Sequence, residues 1–394
     1  PKTGAINIDK NIAIDGQGKY TVFVADTGFT GNTTDWGAAT PVGNYHVFNI
    51  TGGEVVLKDL TVDGGWSNST AFTEGEQYGA RSGINIWGGT VELNNVTVKN
   101  CSTYAVTIGN QSIVTATDLV TSGSRNGINV DQGASLTIGG SDTSIGEAAS
   151  IVYENDTDGE KNGGLTVNDG TYQNVVVQVG NQANAVVGEV NLNGGTYNGT
   201  DGQGGVVYSI ANQPQNSNTA TTALKDKVSI TGGTYPVDGN GKNELVSALL
   251  PVGSALGEDG KIVPAANSVA AIGNVGYSTL DDAVQNAASG QTVRLLTTDE
   301  QTLTKAIGEG VTLVIDKGQT VNITALTTVA TSAGKIRVNA NGALTVDSDK
   351  MIGADGNIKL TAGYIELSKT GLALGTDLAL QLDFVGAAAE VPTG

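Results

Sequence analysis

The chain is poor in the residues that carry most protein chemistry. It has one cysteine, Cys101, which excludes an intramolecular disulfide. Flanked by Asn100 and Ser102, Cys101 sits near a corner and reads as a small buried residue rather than a reactive thiol. It has one histidine, His46. Charged residues make up 15% of the chain and aromatics 5%, so little material is left for an acid–base centre. No apolar run is long enough to span a bilayer, which sets membrane insertion aside. Positive charge is also scarce. Twenty Lys and Arg stand against 39 Asp and Glu, giving a formal charge of −19. Such a field repels nucleic acid phosphates and anionic lipid, so nucleic-acid binding is set aside too.

Glycine is abundant, at 57 residues, and the apolar 39% of the chain is organised in period-2 runs. That organisation distinguishes the chain from a disordered one. Ile84-Asn85-Ile86, Val106-Thr107-Ile108 and Ile128-Asn129-Val130 begin at 84, 106 and 128, a constant interval of 22. Each has the apolar-polar-apolar alternation of a half-buried strand. Val91-Glu92-Leu93, Ile113-Val114-Thr115 and Leu136-Thr137-Ile138 follow at nearly the same interval. A strand that returns once per turn at fixed spacing marks a solenoid, in which each turn packs on its neighbours. Turns of this length, with short strands and no helices, predict an all-β fold, the right-handed parallel β-helix.

The repeat extends both ways. Phe48-Asn49-Ile50 and its followers match Ile84-Asn85-Ile86 and its followers position for position, but 36 residues apart. One coil therefore carries an insertion at about 65–80. A second irregular stretch occupies about 26–45. Later coils carry a variant: Leu165-Thr166-Val167 precedes Gly170-Thr171-Tyr172, Val190-Asn191-Leu192 precedes Gly195-Thr196-Tyr197, and Val228-Ser229-Ile230 precedes Gly233-Thr234-Tyr235. Periodicity lapses at about 140–165 and 200–228.

A break falls near 236–275, so two units are expected, a first β-helix over 1–264 and a smaller one over 265–394. The second opens on a short amphipathic helix at about 279–289. Thr279 is its N-cap, and Leu280, Ala283, Val284 and Ala287 recur at helical spacing. Gly290 is placed to end it. Such a helix would cap the open end of a stack of coils. The Ala-rich residues 386–394 read as a linker. The start at Pro1, directly in strand pattern, reads as a mature or excised piece of a longer protein.

Around this break the residues carry a resemblance. The run Val269-Ala270-Ala271-Ile272-Gly273, then Tyr277-Ser278-Thr279-Leu280-Asp281-Asp282-Ala283-Val284, then Gly290-Gln291-Thr292-Val293-Arg294-Leu295-Leu296 resembles the opening motif of pectin-lyase-like β-helix repeats in large surface proteins of gut Firmicutes. The preceding Val228-Ser229-Ile230-Thr231-Gly232-Gly233-Thr234-Tyr235 resembles their closing segment. The resemblance covers about 228–296. It implies an extracellular, cell-surface location and an adhesin-like structural role.

Enzymes share this fold, and the alternative is a polysaccharide-active one, a calcium-assisted lyase or a glycosidase on the first β-helix. The sequence offers it little. His46 stands alone, Asp281-Asp282 is explained by helix capping, and Lys99, Arg81 and Arg125 lie at coil corners where solvated side chains are expected. No catalytic residue is assigned.

A binding role finds more support. All three tryptophans lie early, Trp36, Trp66 and Trp87. Trp36 belongs to the first irregular stretch and Trp66 opens the insertion. Tyr45 and Tyr78 add aromatic surface, and Asp35, Glu74 and Glu76 add acceptors. Aromatic faces beside carboxylates suit sugar rings, whose C–H faces stack while their hydroxyls donate. The competing reading is a satellite core folded onto the flank. Expected partners are thus a glycan or a surface protein of a host or neighbouring cell, together with end-to-end self-association of the stack. No cofactor is expected. Calcium is the one ion suggested, at Asp156, Asp158 and Glu160, where carboxylates alternate around a glycine; a solvated acidic loop is the competing reading. Ice binding would require regular outward Thr ladders, and the outward positions mix Asn, Glu, Lys and Thr.

Overall fold

The computed structural model describes residues 5–23, 46–66, 80–154, 163–179, 188–199, 205–210, 227–305, 307–316 and 318–322, and five further strands: Lys335–Val338, Ala343–Val346, Ile358–Leu360, Tyr364–Leu367 and Leu380–Leu382. The chain forms two compact units. One comprises Pro1–Pro251 with Leu256–Ile262, the other Val252–Ala255 with Val263–Gly394. Both are mostly β. The proposed linker at 386–394 lies outside the described residues.

In the first unit two sheets share one core. The first sheet has eight described strands, and each pairs in parallel with the equivalent strand of the next coil. The triplets at 84, 106 and 128 stand side by side: Ile84 pairs with Val106 and Val106 with Ile128. The second sheet, of twelve described strands, repeats this pattern, with Val91 beside Val114, Val114 beside Leu136 and Leu136 beside Leu165. Period-2 alternation sends these residues inward, so Ile, Val and Leu form continuous buried columns between the sheets. β-branched side chains suit this role because a pleated surface restricts them little further.

The coil corners are made by residues that tolerate left-handed backbone. Gln17, Asp59, Asn95 and Asp118 all have φ between 52° and 54°. Stacked at one corner, Asn95 Nδ2 donates to Asp59 Oδ1 at 2.7 Å. Amide and carboxylate side chains bond locally and so lower the cost of positive φ. At another corner the insertion leaves and returns at one point, because Ala80 N donates to Gly64 O at 2.7 Å. The stretches where periodicity lapses still hold coils: Ile151–Glu154 and Gly205–Ile210 take their places in the first sheet.

The Gly-Thr-Tyr variant has a packing reason. Tyr172, Tyr197 and Tyr235 lie buried in a stack, with ring centroids 5.5 and 4.6 Å apart. Each hydroxyl donates to the carbonyl three residues earlier, on Asp169, Gly194 and Gly232. A short helix missed by the sequence reading, α1 (Glu244–Leu249), buries Leu245, Val246 and Leu249 in the same core. Asn243 caps it, its Oδ1 accepting from Val246 N at 3.1 Å. Six residues give too few turns for the 3.6 period to stand out.

The second unit departs from the expected all-parallel opening. Ala270–Ile272 pairs antiparallel with both Val275–Tyr277 and Thr292–Leu295, and parallel pairing begins only at Thr312–Ile315. Helix α2 (Leu280–Asn286) is shorter than the expected 279–289. Its cap is as read, with Thr279 Oγ1 accepting from Asp282 N at 3.1 Å. It ends early because Ala287 turns extended and Ala288 N is taken by Gln291 Oε1 at 2.7 Å. Leu280, Ala283 and Val284 enter the core of this unit. Asp281 does more than cap: its carboxylate accepts from Thr304 N at 2.8 Å and from the Thr304 hydroxyl, tying a later turn to the helix.

Candidate functional site

Most residues singled out for binding, Trp36, Tyr45, Tyr78, Asp35, Glu74 and Glu76, lie outside the described residues, as do Asp156, Asp158 and Glu160. Two are placed. Trp66 is half-buried at the start of the insertion, with its N–H donating to Asn100 O at 2.8 Å. Trp87 directly follows the strand Ser82–Ile86 of the first sheet and is half-buried. Its N–H donates to Ile50 O at 2.7 Å, and Gly109 and Asp131 continue the same ladder on the next two coils. The indole lies across Gly109: a Cβ there would stand 2.3 Å from Trp87 Cζ3. Glycine is what lets the ring lie down against the sheet.

Beside Trp87 runs a column of polar positions. Asn7, Asn49, Asn85, Thr107 and Asn129 stand in register on five successive coils. Their amides bond along the stack, Asn49 Nδ2 donating to Asn7 Oδ1 at 3.0 Å and Asn85 Nδ2 to Asn49 Oδ1 at 2.8 Å. The column turns apolar at Val152 and Val176.

A third column, His46, Ser82, Tyr104 and Asn126, lines the starts of the same strands. Ser82 Oγ meets Thr107 Oγ1 at 2.8 Å, which joins this column to the Asn–Thr one. Trp87 and Tyr104, both half-buried, thus bracket a band of amides and hydroxyls. The register signal was in the sequence, because Asn49 and Asn85 occupy the same place in matching triplets. What the sequence did not show is that the neighbouring side chains touch.

His46 carries the one buried side-chain nitrogen or oxygen without a hydrogen-bond partner among the described residues, its Nδ1. Burial, with a smaller contribution from the Arg81 charge, pushes its pKa down to about 4. The imidazole is therefore neutral at physiological pH. Because the unfolded chain binds a proton near 6.5 and the folded one only near 4, folding releases that proton between these values. The penalty is absent above about 6.5 and grows as pH falls towards 4, reaching about 1–3 kcal/mol. Urea unfolding of the first unit should show this loss between pH 6.5 and 4, and His46→Gln should flatten the slope. An unchanged slope would mean that His46 does not titrate this way.

The basic residues weighed for lyase chemistry are engaged. Lys99 Nζ lies 3.4 Å from the Asp63 carboxylate, which also accepts from Asn100 Nδ2 at 2.9 Å and Gly65 N at 3.0 Å. Burial alone would raise the Asp63 pKa, but these donors hold it below its ordinary value. Arg81 and Arg125 flank the third column at equivalent corners, as expected, and both make interactions of their own. Cys101 is fully buried and its thiol is pushed up to about 12, chiefly by burial. No family model, no curated protein and no solved structure matches the chain.

Proposed function

We propose that the chain is an extracellular structural and adhesive region of a bacterial surface protein, whose first unit is a right-handed parallel β-helix presenting its first sheet to glycans. The observation that carries this reading is the register-stacked band of uncharged amides and hydroxyls between Trp87 and Tyr104. Sugars combine apolar C–H faces with hydroxyls that both donate and accept, and the band offers a partner for each. The resemblance of 228–296 to repeats of surface proteins supports the location. The formal charge of −19 supports a soluble stack whose sheets do not pair edge to edge. The mechanism is presentational, since stacked coils hold each contact residue at a fixed distance from the next.

A glycan array probed with the whole chain and with Trp87→Ala tests this. A specific signal should fall about tenfold or more in the variant, the scale of one lost aromatic contact, while the melting temperature changes little. A large melting loss with unchanged glycan binding would make Trp87 a packing residue and remove the site.

A further inference from the structure

We infer that the ligand of this face is an uncharged, extended, 1,4-linked polysaccharide lying along the stack, one sugar ring to each coil. This rests on the glycan reading above and narrows it to one class.

The spacing of the coils suits such a chain. Neighbouring parallel strands lie about 4.8 Å apart, close to the advance per ring of an extended chain of 1,4-linked pyranoses. Asn7, Asn49, Asn85 and Thr107 present one polar side chain per coil at that interval on four successive coils, while Asn129 on the next coil is buried. A chain laid along a single strand would meet this series only once.

The balance of donors and acceptors suits hydroxyls. A primary amide has two N–H groups and two lone pairs. In the ladder Asn49 uses one N–H and one lone pair, towards Asn7 and Asn85. It keeps one of each, which fits a hydroxyl, itself both donor and acceptor. A carboxylate accepts only and would use half of what is offered.

The charge distribution favours a neutral ligand. The Asn–Thr column and the third column hold no ionised side chain at neutral pH, within a protein of formal charge −19. A polyanion would be repelled on approach. Arg81 and Arg125 at the margin have interactions of their own.

Titration calorimetry of the whole chain with cello-, xylo- and manno-oligosaccharides of one to six rings, and with polygalacturonate, tests the inference. Affinity for one neutral series should rise with each added ring through about four rings and then level off, with no dependence on salt, since no counterions are released. Thr107→Val keeps the side-chain shape and should weaken tetramer binding about tenfold, the effect of one lost hydrogen bond. Equal affinity for short and long oligomers would overturn the inference. So would a preference for polygalacturonate that fades with salt. If all three series are blank while the glycan array shows another hit, this inference fails and the glycan reading stands. If the array is blank as well, the glycan reading itself fails.

Discussion

Replacing Tyr197 by alanine is expected to destabilise the first unit by about 3–5 kcal/mol, the range for deleting a large buried aromatic. The ring is 2% exposed and lies between Tyr172 and Tyr235, nearly parallel to the latter at 7°. Its removal leaves a cavity between two coils that cannot close without losing strand register. Tyr197→Phe separates the ring from the hydroxyl. That variant keeps the stack but deprives Gly194 O of its 3.0 Å donor, for about 1 kcal/mol. Thr196→Ala, at the exposed neighbouring position, should be nearly neutral. Urea unfolding monitored by tyrosine fluorescence reads all three. A cost below about 1 kcal/mol for the alanine variant would mean that the stack adds little to the core.

The second large effect is expected at Gly127. A Cβ at this position would stand 2.2 Å from Ser150 O and 2.4 Å from Ile145 Cγ2. Both belong to the following coil turn, and the oxygen is backbone, which cannot rotate away. Gly127→Val should therefore cost about 3 kcal/mol by forcing coils apart. The equivalent position one coil earlier is Ala105, fully buried, where a methyl is accommodated. Ala105→Gly should cost only about 1 kcal/mol, from backbone freedom and a small void. Circular dichroism melts would compare the two, and equal effects would refute the close-approach argument.

The coil pattern of the first unit was legible because inward positions repeat at an interval that the chain cannot change without turning side chains over. Ile84, Val106 and Ile128 announced their own pairing. Other features lacked such a signal. Helix α1 is marked only by Asn243 and three apolar residues. The antiparallel pairing of Ala270–Ile272 depends on its partner strands, which local alternation does not identify. The candidate site was half legible. Trp87 stood out as a rare aromatic, but Asn85, Thr107 and Tyr104 resembled every other outward polar residue. Their contact across coils arises from tertiary register, with partners 36 residues apart in one case and 22 in the next.

The hydrogen bond from Ala80 to Gly64 has an evolutionary consequence. The two ends of the intervening stretch meet at a single rung, so its length is decoupled from the alignment of everything stacked around it. Lengthening a closed loop costs only about 0.6 kcal/mol per doubling. New sequence can enter at that rung, or be lost from it, while Asn49 still faces Asn85. Such a lineage could exchange one inserted segment for another without rebuilding its frame. The same rung is a natural acceptor for a grafted peptide.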